Sequence, residues 1–221
     1  MLQLVSHIPN HKSIKNIIFD FGGVICDIDI SLSEHKFKEF GPAKTFSTRS
    51  PETPSLLFEK LVDQLETGDI SSREFRDTIR EHYLSSPSDE AIDEAWNALL
   101  LDIPRQRIRL LEKIRDHYHI FLLSNSNEIH YQKYLTDFQR KFGYRDFSEL
   151  FEKAWFSFQV HMKKPEQEIF EFVLSDGGLL PGETLFIDDT LIHIESARRI
   201  GINGYHLQQG TEIRDLFRIQ R

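Results

Sequence analysis

Asn16-Ile17-Ile18-Phe19-Asp20-Phe21-Gly22-Gly23-Val24-Ile25 is the stretch on which the fold turns. Three apolar residues end in a carboxylate, and two glycines follow before the apolar run resumes. That order predicts a buried strand over 16–19 delivering Asp20 to the carboxyl edge of a sheet, the edge at which open α/β sheets bind ligands. The glycines let the chain turn sharply and bring N–H groups close to whatever sits on Asp20. Taken alone, an Asp before a Gly pair is more often a plain turn, so its weight depends on partners downstream.

Downstream of Pro104 the pattern alternates. Ile108, Leu111 and Ile114 form a helical stripe, and His119-Ile120-Phe121-Leu122-Leu123 a strand ending in Ser124-Asn125-Ser126-Asn127. A helix with Tyr134 and Phe138 inward follows, then a strand at Ala154-Trp155-Phe156-Ser157. Lys163-Lys164-Pro165 precedes a helix, with Pro165 expected in its first turn. Thr184-Leu185-Phe186-Ile187 is a strand running into Asp188-Asp189, and Gly204-Tyr205-His206-Leu207 is expected as the last strand. Strands alternating with helices at this spacing predict right-handed crossovers and a parallel sheet, an α/β core.

Residues 31–101 read differently, as helix after helix. Leu57, Phe58, Leu61, Val62 and Leu65 make one stripe closed by Gly68, and Ser71-Ser72-Arg73-Glu74 has the spacing of a capping box. Ile92, Ala95, Trp96 and Leu99 mark another helix, with Trp96 read as packing rather than as a substrate platform. The expected organisation is a core of 14–27 and 105–221, a helical insert of 28–104, and a loosely held N-terminal extension of 1–13. Asp27 and Asp29 fall on one face of an exit segment and are expected to be solvated rather than metal-bound.

The 221 residues suffice for a sizeable core, to which 18 phenylalanines contribute. A net charge of -8 repels a phosphate backbone and argues against nucleic acid as a partner. The one cysteine, Cys26, follows an apolar strand, which predicts a buried structural thiol and a reducing compartment. No apolar run reaches bilayer length, so no membrane partner is expected, and the protein reads as cytoplasmic, a monomer or homodimer.

Asp20, Ser124-Asn125, Lys164 and Asp188-Asp189 all fall at strand ends or a helix start, and together they make a phosphate-handling set. A carboxylate can attack phosphorus, but it must approach a dianion, and a hard cation such as Mg²⁺ relieves that repulsion. Asp188 is the expected second metal ligand, with Asp189 either a further ligand or a helix cap. Lys164 adds a compact positive charge, while the Ser124 hydroxyl and neighbouring N–H groups hold phosphate oxygens. Singly, each residue has a bland explanation as a cap or a solvated charge. Their order and placement as a set outweigh it.

The sequence resembles the haloacid dehalogenase-like hydrolase superfamily. Phe19-Asp20-Phe21-Gly22-Gly23-Val24 matches its first motif, Leu123-Ser124-Asn125 its second, Lys164-Pro165 its third and Phe186-Ile187-Asp188-Asp189 its fourth. Within the superfamily the chain is similar to the branch of bacterial phosphatases acting on glucose 1-phosphate. The resemblance implies a Rossmann-like parallel sheet core with the first-motif strand central, an inserted α-helical cap after that motif, and a Mg²⁺-dependent phosphomonoester hydrolase acting on a small phosphorylated metabolite such as a sugar phosphate. It implies Asp20 and Lys164 as catalytic residues, Phe21, Ser124, Asn125 and Lys164 around the phosphate, and Asp20, the Gly22 carbonyl, Asp188 and Asp189 as metal ligands.

One departure matters. Most phosphatases of the family carry a second Asp two residues after the nucleophile as general acid and base, and here that position is Gly22. Acid–base help is typically worth about 10²–10⁴-fold. Slow turnover, a donor from the cap or a good leaving group are the alternatives. Gly22 also leaves open a non-catalytic phospho-ligand binder, and a dehalogenase is a third reading, disfavoured because halide displacement needs no metal. Specificity is expected from the cap, with His35, Lys36, Phe46 and Arg49 among the charged and aromatic candidates.

Overall fold

The computed structural model of the protein describes residues 2–42 and 54–219. Five parallel strands form the central sheet: β2 (Asn16–Phe19), β3 (His119–Ser124), β4 (Lys153–Phe156), β5 (Thr184–Asp188) and β6 (Asn203–His206). Their order is β4-β3-β2-β5-β6, so the chain leaves the centre in both directions from β2. The gap between diverging connections at such a switch point is where open α/β sheets bind ligands.

The apolar runs bury both faces of the sheet by simple alternation. Ile17, Phe19, Ile120, Leu122, Leu185 and Ile187 enter one cluster, whereas Ile18, Phe121, Leu123 and Phe186 enter the other. The first face is covered by α5 (Arg105–Ile114) and α6 (Glu128–Phe142), through Ile108, Leu111, Ile114 and Phe138. The second is covered by α8 (Gln167–Gly177) and α9 (Leu191–Arg199), through Ile169, Phe170, Val173 and Ile194. Each helix therefore buries the stripe its 3.6-residue period creates.

Between β2 and α5 lie α1 (Ile30–Lys38), α2 (Pro54–Glu66), α3 (Ser72–His82) and α4 (Asp89–Asn97). They share a separate apolar cluster of Phe37, Leu65, Phe75, Ile79, Ile92 and Trp96, closed by Ile129 of α6. The capping box of α3 forms as its sequence predicts, with Ser71 accepting from the Glu74 N–H and the Glu74 carboxylate accepting from the Ser71 N–H at 2.8 Å. The two connections to the core run side by side: the Asp27 N–H donates to the Asp102 carbonyl and the Asp29 N–H to the Leu99 carbonyl.

Four local expectations are corrected. The first residues are not loosely held: β1 (Leu2–Leu4) pairs antiparallel with β7 (Phe217–Ile219), a strand beyond the one expected to be last, and Leu4 and Ile8 are buried. Apolar side chains spaced among polar ones anchored this segment. Asp27 is not simply solvated, because the Arg107 guanidinium holds it at 2.7 Å, and Asp29 caps α1 by accepting from the Ser31 N–H. Pro165 lies ahead of α8 rather than in its first turn, the cap position falling to Glu166. Asp189 is not the cap of α9, which is Thr190. Cys26 is buried, and burial pushes its thiol up to about 12, as expected of a structural residue.

Candidate active site

Asp20 follows the last residue of β2, Asp188 ends β5, and Lys164 reaches them from the loop before α8. Parallel register puts both aspartates at the same sheet edge, with Phe19 opposite Ile187. The Lys164 ammonium is 1% exposed and makes three contacts: Asp20 Oδ1 at 2.8 Å, Asp188 Oδ2 at 2.7 Å and the Leu123 carbonyl at 3.1 Å. An ammonium has three protons, so its donors are fully used. The Phe21 N–H also donates to Asp20 Oδ1, at 2.7 Å. Both assigned donors thus fall on Oδ1, which leaves Oδ2 as the oxygen turned to chemistry.

Oxygens of Asp20, Asp188 and Asp189 lie within 4.8 Å of one another. Three carboxyls share a largely buried space with one ammonium, and full ionisation would leave two negative charges there. Burial pushes the Asp20 carboxyl up to about 8, Lys164 opposes the rise, and Asp188 adds to it. Burial also works against the charge on Asp188, yet Lys164 and His193 together hold that carboxyl below the usual range. An unfavourable excess of negative charge on clustered oxygen donors fits a hard divalent cation and Mg²⁺ in particular. The glycine pair is shaped for the same cluster. Gly23 has a φ of +72°, and a Cβ there would sit 2.0 Å from Asp189 Oδ2. Only glycine gives both the left-handed backbone and the clearance.

The remaining expected residues divide. Asn125 uses its side chain on Lys164, donating to its carbonyl at 2.8 Å and accepting from its N–H at 2.9 Å. It therefore positions the lysine loop, and its own N–H and the second proton of its amide nitrogen remain for a ligand. Ser124 is buried and its hydroxyl donates to the Asn125 carbonyl at 3.3 Å. Of the cap candidates, His35 and Lys36 do not line the cavity above Asp20, and Lys36 pairs with Glu39 and Glu94. Phe46 and Arg49 lie outside the described residues.

Three features were not foreseen. His193, one turn into α9, places Nδ1 3.0 Å from Asp188 Oδ2, and a histidine five residues after the Asp would have been the signal. Lys163 crosses to the insert and pairs with Asp63 and Glu66 of α2 at 2.6 and 2.8 Å. His130 of α6 stacks on Trp96 at 4.9 Å, while the Trp96 Nε1–H donates to the Asn127 amide oxygen at 3.3 Å. Trp96 is therefore packing, as expected, and also part of the cavity wall.

A family model described as haloacid dehalogenase-like hydrolase matches residues 14–201. The chain belongs to that hydrolase family. It is 28% identical over 201 residues to a D-ribitol-5-phosphate phosphatase from Bacteroides thetaiotaomicron, covering 91% of this chain and 95% of that protein. A crystal structure of a family enzyme from the same organism has a TM-score of 0.81 at 38% identity, covering 92% of this chain and 98% of the other. That enzyme has also been solved with magnesium and inorganic phosphate, at a TM-score of 0.78 and covering 93% of this chain and 100% of the other. A family hydrolase from Porphyromonas gingivalis follows at 29% identity and a TM-score of 0.77, covering 90% of this chain and 93% of that one.

Proposed function

We propose that the protein hydrolyses phosphate monoesters of small metabolites through an aspartyl-phosphate on Asp20. The observation that carries this is the placement of Asp20, held through one oxygen by Lys164 and Phe21 at the base of a cavity, in one cluster with Asp188 and Asp189. Magnesium, when held by Asp20, Asp188, Asp189 and the Gly22 carbonyl, supplies the charge that lets a phosphate dianion meet a carboxylate. The residues do the rest. Asp20 Oδ2 attacks phosphorus in line, and the bond from phosphorus to the alcohol oxygen breaks with its electron pair on oxygen. The nearby Lys164 charge, the Asn125 N–H and the Ser124 hydroxyl, once it turns from the Asn125 carbonyl, offset the charge on the phosphoryl oxygens, while the Phe21 N–H keeps its bond to Asp20 Oδ1. Water then attacks the aspartyl-phosphate, releasing phosphate and restoring Asp20.

Residues 28–104 act as a cap that encloses the leaving group, supported by the cavity walls drawn from α1 to α4. The site is complete within one chain, so a monomer or a homodimer serves equally. A buried lone thiol fits the cytoplasm, and no described helix is long and apolar enough to cross a membrane.

Phosphate release from a panel of sugar, alditol and aryl phosphates tests the assignment. Turnover with Mg²⁺, its loss in EDTA, and a drop of at least about 10⁴-fold in Asp20→Asn are expected. No turnover, with Asp20→Asn altering only binding, makes the protein a phospho-ligand binder. Haloacid turnover that survives EDTA makes it a dehalogenase.

A further inference from the structure

The cavity above Asp20 measures about 960 Å³, at the upper end of the roughly 300–1,000 Å³ that holds drug-sized ligands. Its walls are chemically divided. Asp20, Lys164, Asn125, Asp189 and Thr190 form the polar base, whereas Ile28, Ile30, Phe58, Leu61, Tyr83 and Trp96 line the insert side. Ile28, Ile30 and Phe58 are 36%, 61% and 38% exposed, large apolar side chains that all line this cavity. Such a grouping marks a surface that something apolar covers. Ser33, Glu34, Lys38, Glu59, Thr78 and His82 add polar groups on the insert side, and Asp63 and Glu66 there are paired with Lys163. At the first-motif turn Gly22 carries no side chain, and Ile28 lies 3.6 Å from where its Cβ would be.

Resting on the phosphomonoesterase assignment, we infer that the alcohol released carries an apolar body, a ring or an alkyl chain, lying against Ile28, Ile30, Phe58 and Trp96 rather than a run of hydroxyls. The polar base binds the phosphate of any ester equally. Discrimination then comes from apolar area removed from water on the insert side.

The experiment compares kcat/KM with Mg²⁺ for phenyl phosphate, 4-butylphenyl phosphate and D-ribitol 5-phosphate. Phenol and 4-butylphenol have nearly the same acidity, so the two aryl esters differ in apolar contact and hardly in leaving-group basicity. The butyl group should raise kcat/KM about tenfold or more. Phe58→Ala and Ile30→Ser should each reduce that ratio to under about threefold, and because it is a ratio within one variant, a lower folded fraction cancels. A ratio near one, a ratio untouched by both substitutions, or D-ribitol 5-phosphate faster than both aryl esters overturns the inference and leaves the phosphatase standing. Hydrolysis of none of the three, nor of any other monoester, overturns the phosphatase itself and the inference with it.

Discussion

Lys163 and Lys164 are neighbours in the chain and belong to different regions of the molecule. Lys164 points into the core, is 1% exposed, and is gripped by two carboxylates and a carbonyl. Lys163 points outward, is 17% exposed, and reaches Asp63 and Glu66 of the insert. The core half of the site is fixed by buried charge whose every donor is used. The insert half is held by partly exposed ion pairs worth about 0–1 kcal/mol each and by its own apolar cluster joined to Ile129. On the proposed function, chemistry falls where geometry is over-determined, and substrate choice where substitutions cost little.

Lys164→Met tests the core side of this contrast most severely. It leaves Asp20 buried without a counter-charge and Asp188 with His193 alone, which should cost the metal-free protein about 3–5 kcal/mol in urea unfolding. Mg²⁺ should recover part of the loss. Unchanged stability, or no response to Mg²⁺, would show that Lys164 is not the charge that holds these carboxylates.

Gly22→Asp probes the boundary between the two regions. Nothing lies closer than 3.6 Å to the new Cβ, and the Gly22 backbone needs no left-handed conformation, so a carboxyl can be accommodated. It would place a proton donor beside the departing oxygen and should speed hydrolysis of primary-alcohol phosphates by about 10²-fold, with aryl esters little changed. Equal acceleration of both ester types, or none, would mean that proton donation does not limit the parent enzyme.

His130 reports on the seam itself. Burial pushes its imidazole down to about 4, the Trp96 carbonyl opposing that shift, so the folded state keeps it neutral where the unfolded chain would protonate it. Its contribution is therefore complete above the ordinary value of about 6.5 and is lost as pH falls toward 4, by about 2 kcal/mol at pH 5. The difference in unfolding free energy between pH 7.5 and pH 5 should shrink by that amount in His130→Gln. An undiminished difference would place the acid sensitivity elsewhere, in the carboxylates of the core.

Much of the core was legible because its signals are local. Ile17-Ile18-Phe19 and Leu185-Phe186-Ile187 are continuous apolar runs ending in carboxylates, and a parallel strand buried on both faces demands that pattern. The Ser71 capping box is likewise written within four residues. The first segment misled because burial of Leu4 and Ile8 depends on β7, more than two hundred residues away. Asn125 lines the cavity above Asp20, and its side chain also holds the Lys164 loop, a link that nothing nearby in sequence announces.

The sequence by itself determined the layered α/β core, the helical insert after the first strand, and the carboxylates, lysine and glycines at the sheet edge. Periodicity and strand-end position are short-range properties, and parallel pairing carries them to one edge without further information. Only the tertiary structure decided that both donors fall on one oxygen of Asp20, that His193 joins Asp188, that Lys163 bridges to α2, and that Ile30, Phe58 and Trp96 of the insert line the cavity above Asp20. These are distances between side chains far apart in the chain, and they are set by how the layers pack rather than by any pattern along it.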